Sequence, residues 1–253
     1  MATVKKLLKY AAIAAVWFSA WLIASMLVKN SVILPSPHEV LQRLFVLSSS
    51  GEFWLSILYS ILRVVFGLII ATAAAVLLSA AAFRFTLIRD FLKPFITVIK
   101  ATPVVSFIFI AFVAFRGNFD SLPAFIAGLI VFPVMYESIL AALIATPKEL
   151  VEVSEVFGCT FYEKLRYLWI PTALPTFVTS EKTSIGLAWK SGVAAESLIA
   201  IPGLLAIGTE ISEAKTWLET TDQFAWTLVI ILLSLSIEII FSFLAKKLTD
   251  KIL

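Results

Sequence analysis

Histidine and cysteine each occur once, as His38 and Cys159, and that scarcity removes whole classes of chemistry. One cysteine cannot close an intramolecular disulfide, and one histidine makes a histidine-based metal centre a poor expectation. Also missing are a glycine-rich phosphate loop ending in Lys-Ser/Thr, a Gly-x-Ser-x-Gly elbow, a His-Glu-x-x-His helix and a Cys-x-x-Cys pair. No nucleophilic, metal-dependent or ATP-hydrolysing centre is therefore expected, and the chain reads as a non-enzyme with no cofactor of its own. Charge is scarce as well: 15% of the residues are Asp, Glu, Lys or Arg, against about 25% in soluble domains. With no long polar stretch to clothe a water-facing surface, a soluble fold is excluded. The net charge of +3 is dispersed among apolar runs, which argues against nucleic acid as a partner.

What is present is hydrophobic surface, 60% of 253 residues. A membrane-crossing helix needs about 20 mostly apolar residues, and six such stretches stand near residues 10–28, 56–83, 93–115, 121–146, 174–200 and 224–245. The expectation is an all-α polytopic bundle forming a single transmembrane domain over residues 1–253. Its fifth span is interrupted by Glu181, Lys182, Lys190 and Glu196. Basic residues in short connections stay on the cytoplasmic side. One side holds Lys5, Lys6, Lys9, Arg84, Arg89, Lys93, Lys148, Lys164, Arg166, Lys246, Lys247 and Lys251; the other holds Lys29, Arg43, Arg116 and Lys215. That asymmetry places both termini in the cytoplasm. The first stretch is expected to be retained as a span, since at about 18 residues it is longer than a signal-peptide core.

The polar connection from span four to span five, residues 147–173, carries the most information. Leu150, Val153, Val156 and Phe157 recur at helical spacing opposite Glu149, Glu152 and Glu155, which describes an amphipathic helix. Gly158 is placed to end it. Thr160 with Glu163 fits a capping box, so a second helix is expected from there to Ile170, broken at Pro171. An acidic polar face fits an anionic bilayer surface poorly and a protein partner well.

The spacing Glu152-Val153-Ser154, three residues, Gly158, nine residues, Leu168-Trp169-Ile170-Pro171 resembles the EAA loop of binding-protein-dependent ABC importer permeases. Val153 and Ser154 stand where that family has two alanines, and the Ile and Leu are exchanged. Leu34-Pro35-Ser36-Pro37 with Glu39-Val40, and Glu196 with Ile201-Pro202-Gly203-Leu204, are similar to segments of the nitrate/sulfonate/taurine-type permeases. The resemblance implies a type I importer permease in the cell membrane of a prokaryote, with about six spans. Glu152, Val153, Ser154, Val156, Phe157, Gly158, Ile170 and Pro171 would then form the coupling helix that docks on a separate cytoplasmic ATPase, the chain that binds ATP and magnesium. It further implies an external substrate-binding protein and a second permease copy, with a homodimer favoured over a heterodimer.

A charge at the bilayer centre costs at least about 2.5–3.5 kcal/mol, so each needs a partner or a watery cavity. Lys190 is the deepest. Two readings stand: Lys190, with Lys100, Trp189, Ser184 and Ser191, lines a path for a small anion or organic solute, or Lys190 pairs structurally with Glu137 or Glu196. Trp54, Trp217 and Trp226 are expected to anchor at the outer membrane face, and the connection from Pro202 to Gln223 to contribute a docking surface for the binding protein. A secondary transporter or channel working without an ATPase is the alternative class, although no internal repeat supports it.

Overall fold

A computed structural model describes the backbone of residues 2–115, 119–201 and 203–252, and the side chains of 9–10, 12–115, 120–201, 203–245 and 247. Arg116 and Pro202, and the side chains of Lys5, Lys6, Lys246 and Lys251, lie outside the described residues. Among the described residues there are eleven α-helices and no strand: α1 (Ala2–Val28), α2 (Pro37–Ser48), α3 (Gly51–Arg84), α4 (Thr86–Ala101), α5 (Val104–Phe115), α6 (Leu122–Ile144), α7 (Lys148–Val156), α8 (Phe161–Lys164), α9 (Ile170–Ile199), α10 (Ile207–Thr216) and α11 (Thr220–Ile252).

Apolar length alone makes α3, α6 and α11 membrane-crossing helices. The third expected span, 93–115, is two helices, α4 and α5, bent by 107°. Pro103 accounts for the break: it forces Thr102 into extended backbone and offers no N–H to continue the ladder. Thr102 then turns both its N–H (3.1 Å) and its hydroxyl (2.7 Å) back onto the Val98 carbonyl. The first expected span contains a shorter apolar run, Ala12–Val28. In α9, 30 residues long, the apolar run is diluted by Glu181, Lys182, Lys190 and Glu196.

The chain divides into two compact units, and α3 and α11 each run from one into the other. The first unit comprises Met1–Tyr59 and Ala200–Leu232. Here the Leu34–Val40 segment serves as a helix start. Ser36 caps α2 reciprocally with Glu39, Pro37 takes the first helical position, and Val40 is fully buried. Trp21 donates its indole N–H to the Pro35 carbonyl at 3.1 Å and stacks on Phe224. Arg43 forks onto Asp222, with Nη2 2.7 Å from Oδ2. Trp54 and Trp217 are exposed, whereas Trp226 is 2% exposed and packs on Phe53 with ring centroids 4.9 Å apart. Trp226 is therefore a core residue of this unit, because the apolar stripe it shares on α11 faces inward.

The second unit comprises Ser60–Ile199 and Leu233–Leu253, built around α6 and α9, which pack along their lengths. Small residues set how closely α3 approaches the two. A Cβ at Gly67 of α3 would strike the Ala124 carbonyl oxygen and stand 2.8 Å from the carbonyl carbon, and one at Gly192 of α9 would reach 2.6 Å from Val64. Lipid supplies no hydrophobic drive for helices to associate, so close backbone approach is what holds such a crossing together. Near the C-terminal end of α9, Glu196 accepts from Ser60 at 2.7 Å and lies 3.5 Å from Arg63, which also binds Asp120 at 2.7 Å.

Two outcomes follow. Gly67→Val forces rigid backbones apart and is expected to abolish a monodisperse peak in detergent size exclusion, while Gly186→Ala, where a Cβ meets nothing within 4 Å, leaves the peak intact. Glu210 of α10 is half-buried, and that burial pushes its carboxyl above the ordinary range, opposed by a hydrogen bond from Ser56 and reinforced by Glu213, Glu52 and Asp222. Folding thus disfavours its ionised form, a penalty absent at low pH that grows as pH rises through the ordinary carboxylate range. Glu210→Gln is expected to raise the melting temperature at neutral pH and flatten its dependence on pH; a lower value at pH 7 contradicts this.

Candidate functional site

The connection between α6 and α9 folds as a hairpin with a rigid tip. α7 ends in a Schellman turn: Cys159 N–H bonds the Ser154 carbonyl and Gly158 N–H that of Glu155, both at 2.9 Å, with Gly158 at φ +66°. A non-glycine residue held there costs roughly 1–2 kcal/mol, which is why glycine stands at this corner. Thr160 opens the second arm with the expected capping box. Its backbone N–H and hydroxyl both reach Glu163, at 2.7 and 2.8 Å, and hold that carboxyl below the ordinary carboxylate range. Lys164 bridges to Glu155 at 3.3 Å and ties the arms together.

The second arm does not break at Pro171. Residues Leu165–Trp169 form a π-helical turn in which the Ile170 N–H bonds the Leu165 carbonyl, and helix resumes from Ile170 to Ile199. The wider turn accommodates the proline ring and its missing N–H without a stop. Hairpin arm and α9 are consequently one continuous rod from Phe161, with Ile170 and Pro171 inside it rather than at its end.

None of α7 is buried within the chain. Glu152 and Val153 are exposed and Ser154 is half-buried, its hydroxyl bonding the Val151 carbonyl at 2.6 Å. At the tip Val156 is 85% and Phe157 81% exposed. Burying such side chains is worth about 1.5–3 kcal/mol each, and within the chain this rigid corner leaves both uncovered.

The five path candidates separate. Trp189 is 1% exposed, Ser184 0% and Ser191 6%, with Ser191 bonding the Leu187 carbonyl at 2.8 Å. They face the packed interior of the second unit. Lys100 pairs with Glu137 at 2.6 Å. Lys100 and Lys190 are both exposed, and for Lys190 no ion pair is found among the described residues. The two acids proposed as its partners are engaged elsewhere, Glu137 by Lys100 and Glu196 by Arg63. Sequence reasoning missed the company Lys190 keeps. Thr179, Thr183, Gly186, Ala194 and Ser197 share its open or half-open face of α9, recurring every three or four residues. That periodicity of small and hydroxyl side chains was the available signal, masked by looking at the neighbours of Lys190 in sequence, which a helix turns inward. Lys182 meets Glu238 at 3.1 Å, and the buried Glu181 accepts from Thr72 at 3.0 Å.

A family model for the binding-protein-dependent transport system inner membrane component matches residues 77–252. The taurine transport system permease protein TauC of Escherichia coli is 23% identical over 234 residues, covering 90% of this chain and 84% of that one. The riboflavin transport system permease protein RibX of Chloroflexus aurantiacus is 26% identical, covering 85% and 78% respectively. Among solved structures, a bacterial alginate ABC transporter in complex with a periplasmic protein superposes with a TM-score of 0.65 at 14% identity, over 98% of this chain and 96% of that one. The fold is that of a type I ABC importer permease. A match that takes in the hairpin, α9 and α11 together, on the fold such importers share, means that the chain belongs to the binding-protein-dependent transport system inner membrane component family.

Proposed function

We propose that this ABC importer permease subunit forms the substrate path with a second copy of itself, receives substrate from an external binding protein, and is driven by a separate cytoplasmic ATPase docked on residues 148–170. The exposed apolar tip at Val156 and Phe157, set on a corner welded to α9, is the observation that carries the reading. ATP and magnesium belong to the ATPase, and this chain supplies no catalytic group. Both termini and the hairpin face the cytoplasm, in keeping with the twelve basic residues on that side against four on the other. The substrate is a small anion or organic solute of the nitrate/sulfonate/taurine class. Lys190 supports that choice: an uncompensated ammonium within a span is retained only where water or an anion reaches it. Thr179 and Thr183 give their hydroxyl protons to the Pro175 and Thr179 carbonyls, which leaves Lys190 and the Ser197 hydroxyl as the donors on the same face.

Phe157→Ser combined with Val156→Ser is expected to lower ATPase co-purification at least tenfold at unchanged membrane abundance; equal recovery rejects the docking. Lys190→Met is expected to cut uptake by an order of magnitude for whichever of taurine, nitrate or an alkanesulfonate the wild type carries, with folding preserved and Lys190→Arg largely active. Undiminished uptake by Lys190→Met removes the anion reading and leaves the coupling reading standing.

A further inference from the structure

The four charges of α9 are sorted by sign. Its carboxylates, Glu181 and Glu196, are buried, while its ammonium groups, Lys182 and Lys190, are both exposed. Eight residues turn a helix by about 80° net and advance it by about 12 Å, so the two lysines share the face that also carries Thr179, Thr183 and Gly186. Their circumstances differ. Lys190 has no ion pair among the described residues, whereas Lys182 reaches Glu238 of α11 at 3.1 Å. Both members of that pair are half-exposed. Glu238 lies about 10 Å before Ala245, where the apolar run of α11 ends, too deep for its short side chain to reach the interface. A pair left open to hydrocarbon is costly, so its open side faces water or protein and not lipid. Continuity with the face of Lys190 favours water.

We propose that Lys182 and Glu238 are the release station of the path, an inference that rests on the reading of Lys190 as the anion's contact. In the topology given above the hairpin end of α9 is cytoplasmic, and Lys182 stands nearer that end than Lys190. An anion leaving Lys190 next meets an ammonium whose charge is already matched by a carboxylate on another helix. Binding there displaces Glu238, and the return of Glu238 expels the anion. An unpaired second lysine would hold the anion as Lys190 does, and an unpaired carboxylate would repel it. The pair does neither, which suits a point where an imported solute is let go.

The complete transporter, permease with ATPase and binding protein, reconstituted in sealed vesicles, gives the test. Lys182→Cys, Lys190→Cys and Glu238→Cys, each in a Cys159→Ser background, are exposed to the anionic thiol reagent 2-sulfonatoethyl methanethiosulfonate. Each is expected to react at least tenfold faster than Ile240→Cys, an exposed position about 200° around α11 from Glu238. Glu238→Gln leaves Lys182 unmatched and is expected to make uptake at least fivefold more sensitive to inhibition by the carried anion, nitrate or ethanesulfonate, placed on the ATPase side. Adding Lys182→Met to Glu238→Gln is expected to return that sensitivity to the wild-type value. Loss of a merely structural pair lowers abundance and leaves the sensitivity where it was. Reaction at 190 without reaction at 182 and 238, unchanged inhibition in Glu238→Gln, or a double variant as sensitive as Glu238→Gln overturns the release station and leaves the path at Lys190 standing. No reaction at 190 overturns the path itself, and this inference with it.

Discussion

Continuity of helix from Phe161 to Ile199 is the constraint on which the rest depends. A proline inside a helix ordinarily ends it, and an ended helix would leave the hairpin swinging on a joint. The π turn at Leu165–Trp169 absorbs Pro171 instead. Displacement of the tip at Val156 and Phe157 is thereby delivered to a rod that also carries Lys190, about 44 Å from Phe161 at 1.5 Å per residue. On the proposed function, the element that receives force from the tip is the one that carries Lys190, although no residue is shared between the two roles.

What fixes that rod against its neighbours is steric closeness instead of hydrophobic drive. Gly192 of the rod lies against the Val64 side chain of α3, and Gly67 of α3 lies against the Ala124 backbone of α6, each too close for a larger side chain. Charges inside the second unit are then matched in pairs, Lys100 with Glu137, Lys182 with Glu238 and Arg63 with Glu196. Lys190 stands apart from this economy of paired charge, on a face of small and hydroxyl residues.

Much of this was legible in the residues themselves, because the signals were local. The apolar runs located α3, α6 and α11; Gly158 and the Thr160–Glu163 pair announced the corner and the start of the second arm. Where reading by local rules failed, a non-local or geometric term had taken over. Pro171 reads as a stop, yet a π turn is not encoded by any short pattern. Pro103 looked like one residue in a long span, and the bend of 107° depends on the extended conformation that it imposes on Thr102. Trp226 has the composition of an interface anchor, and only tertiary contact with Phe53 makes it core. Trp189 and Lys190 are adjacent in sequence and opposite in environment, since each step along a helix turns the side chain by about 100°.

The central claim is that the hairpin tip is the seat of the ATPase and moves with it. Disulfide cross-linking in native membranes tests it most directly, using Phe157→Cys in a background where Cys159→Ser removes the natural thiol, single cysteines introduced in turn across the ATPase surface, and an added oxidant. The account predicts an adduct between the tip and the ATPase, uptake that halts while the bond is intact, and recovery on reduction. Full uptake with the bond in place, or transporting membranes in which no adduct forms, would contradict it.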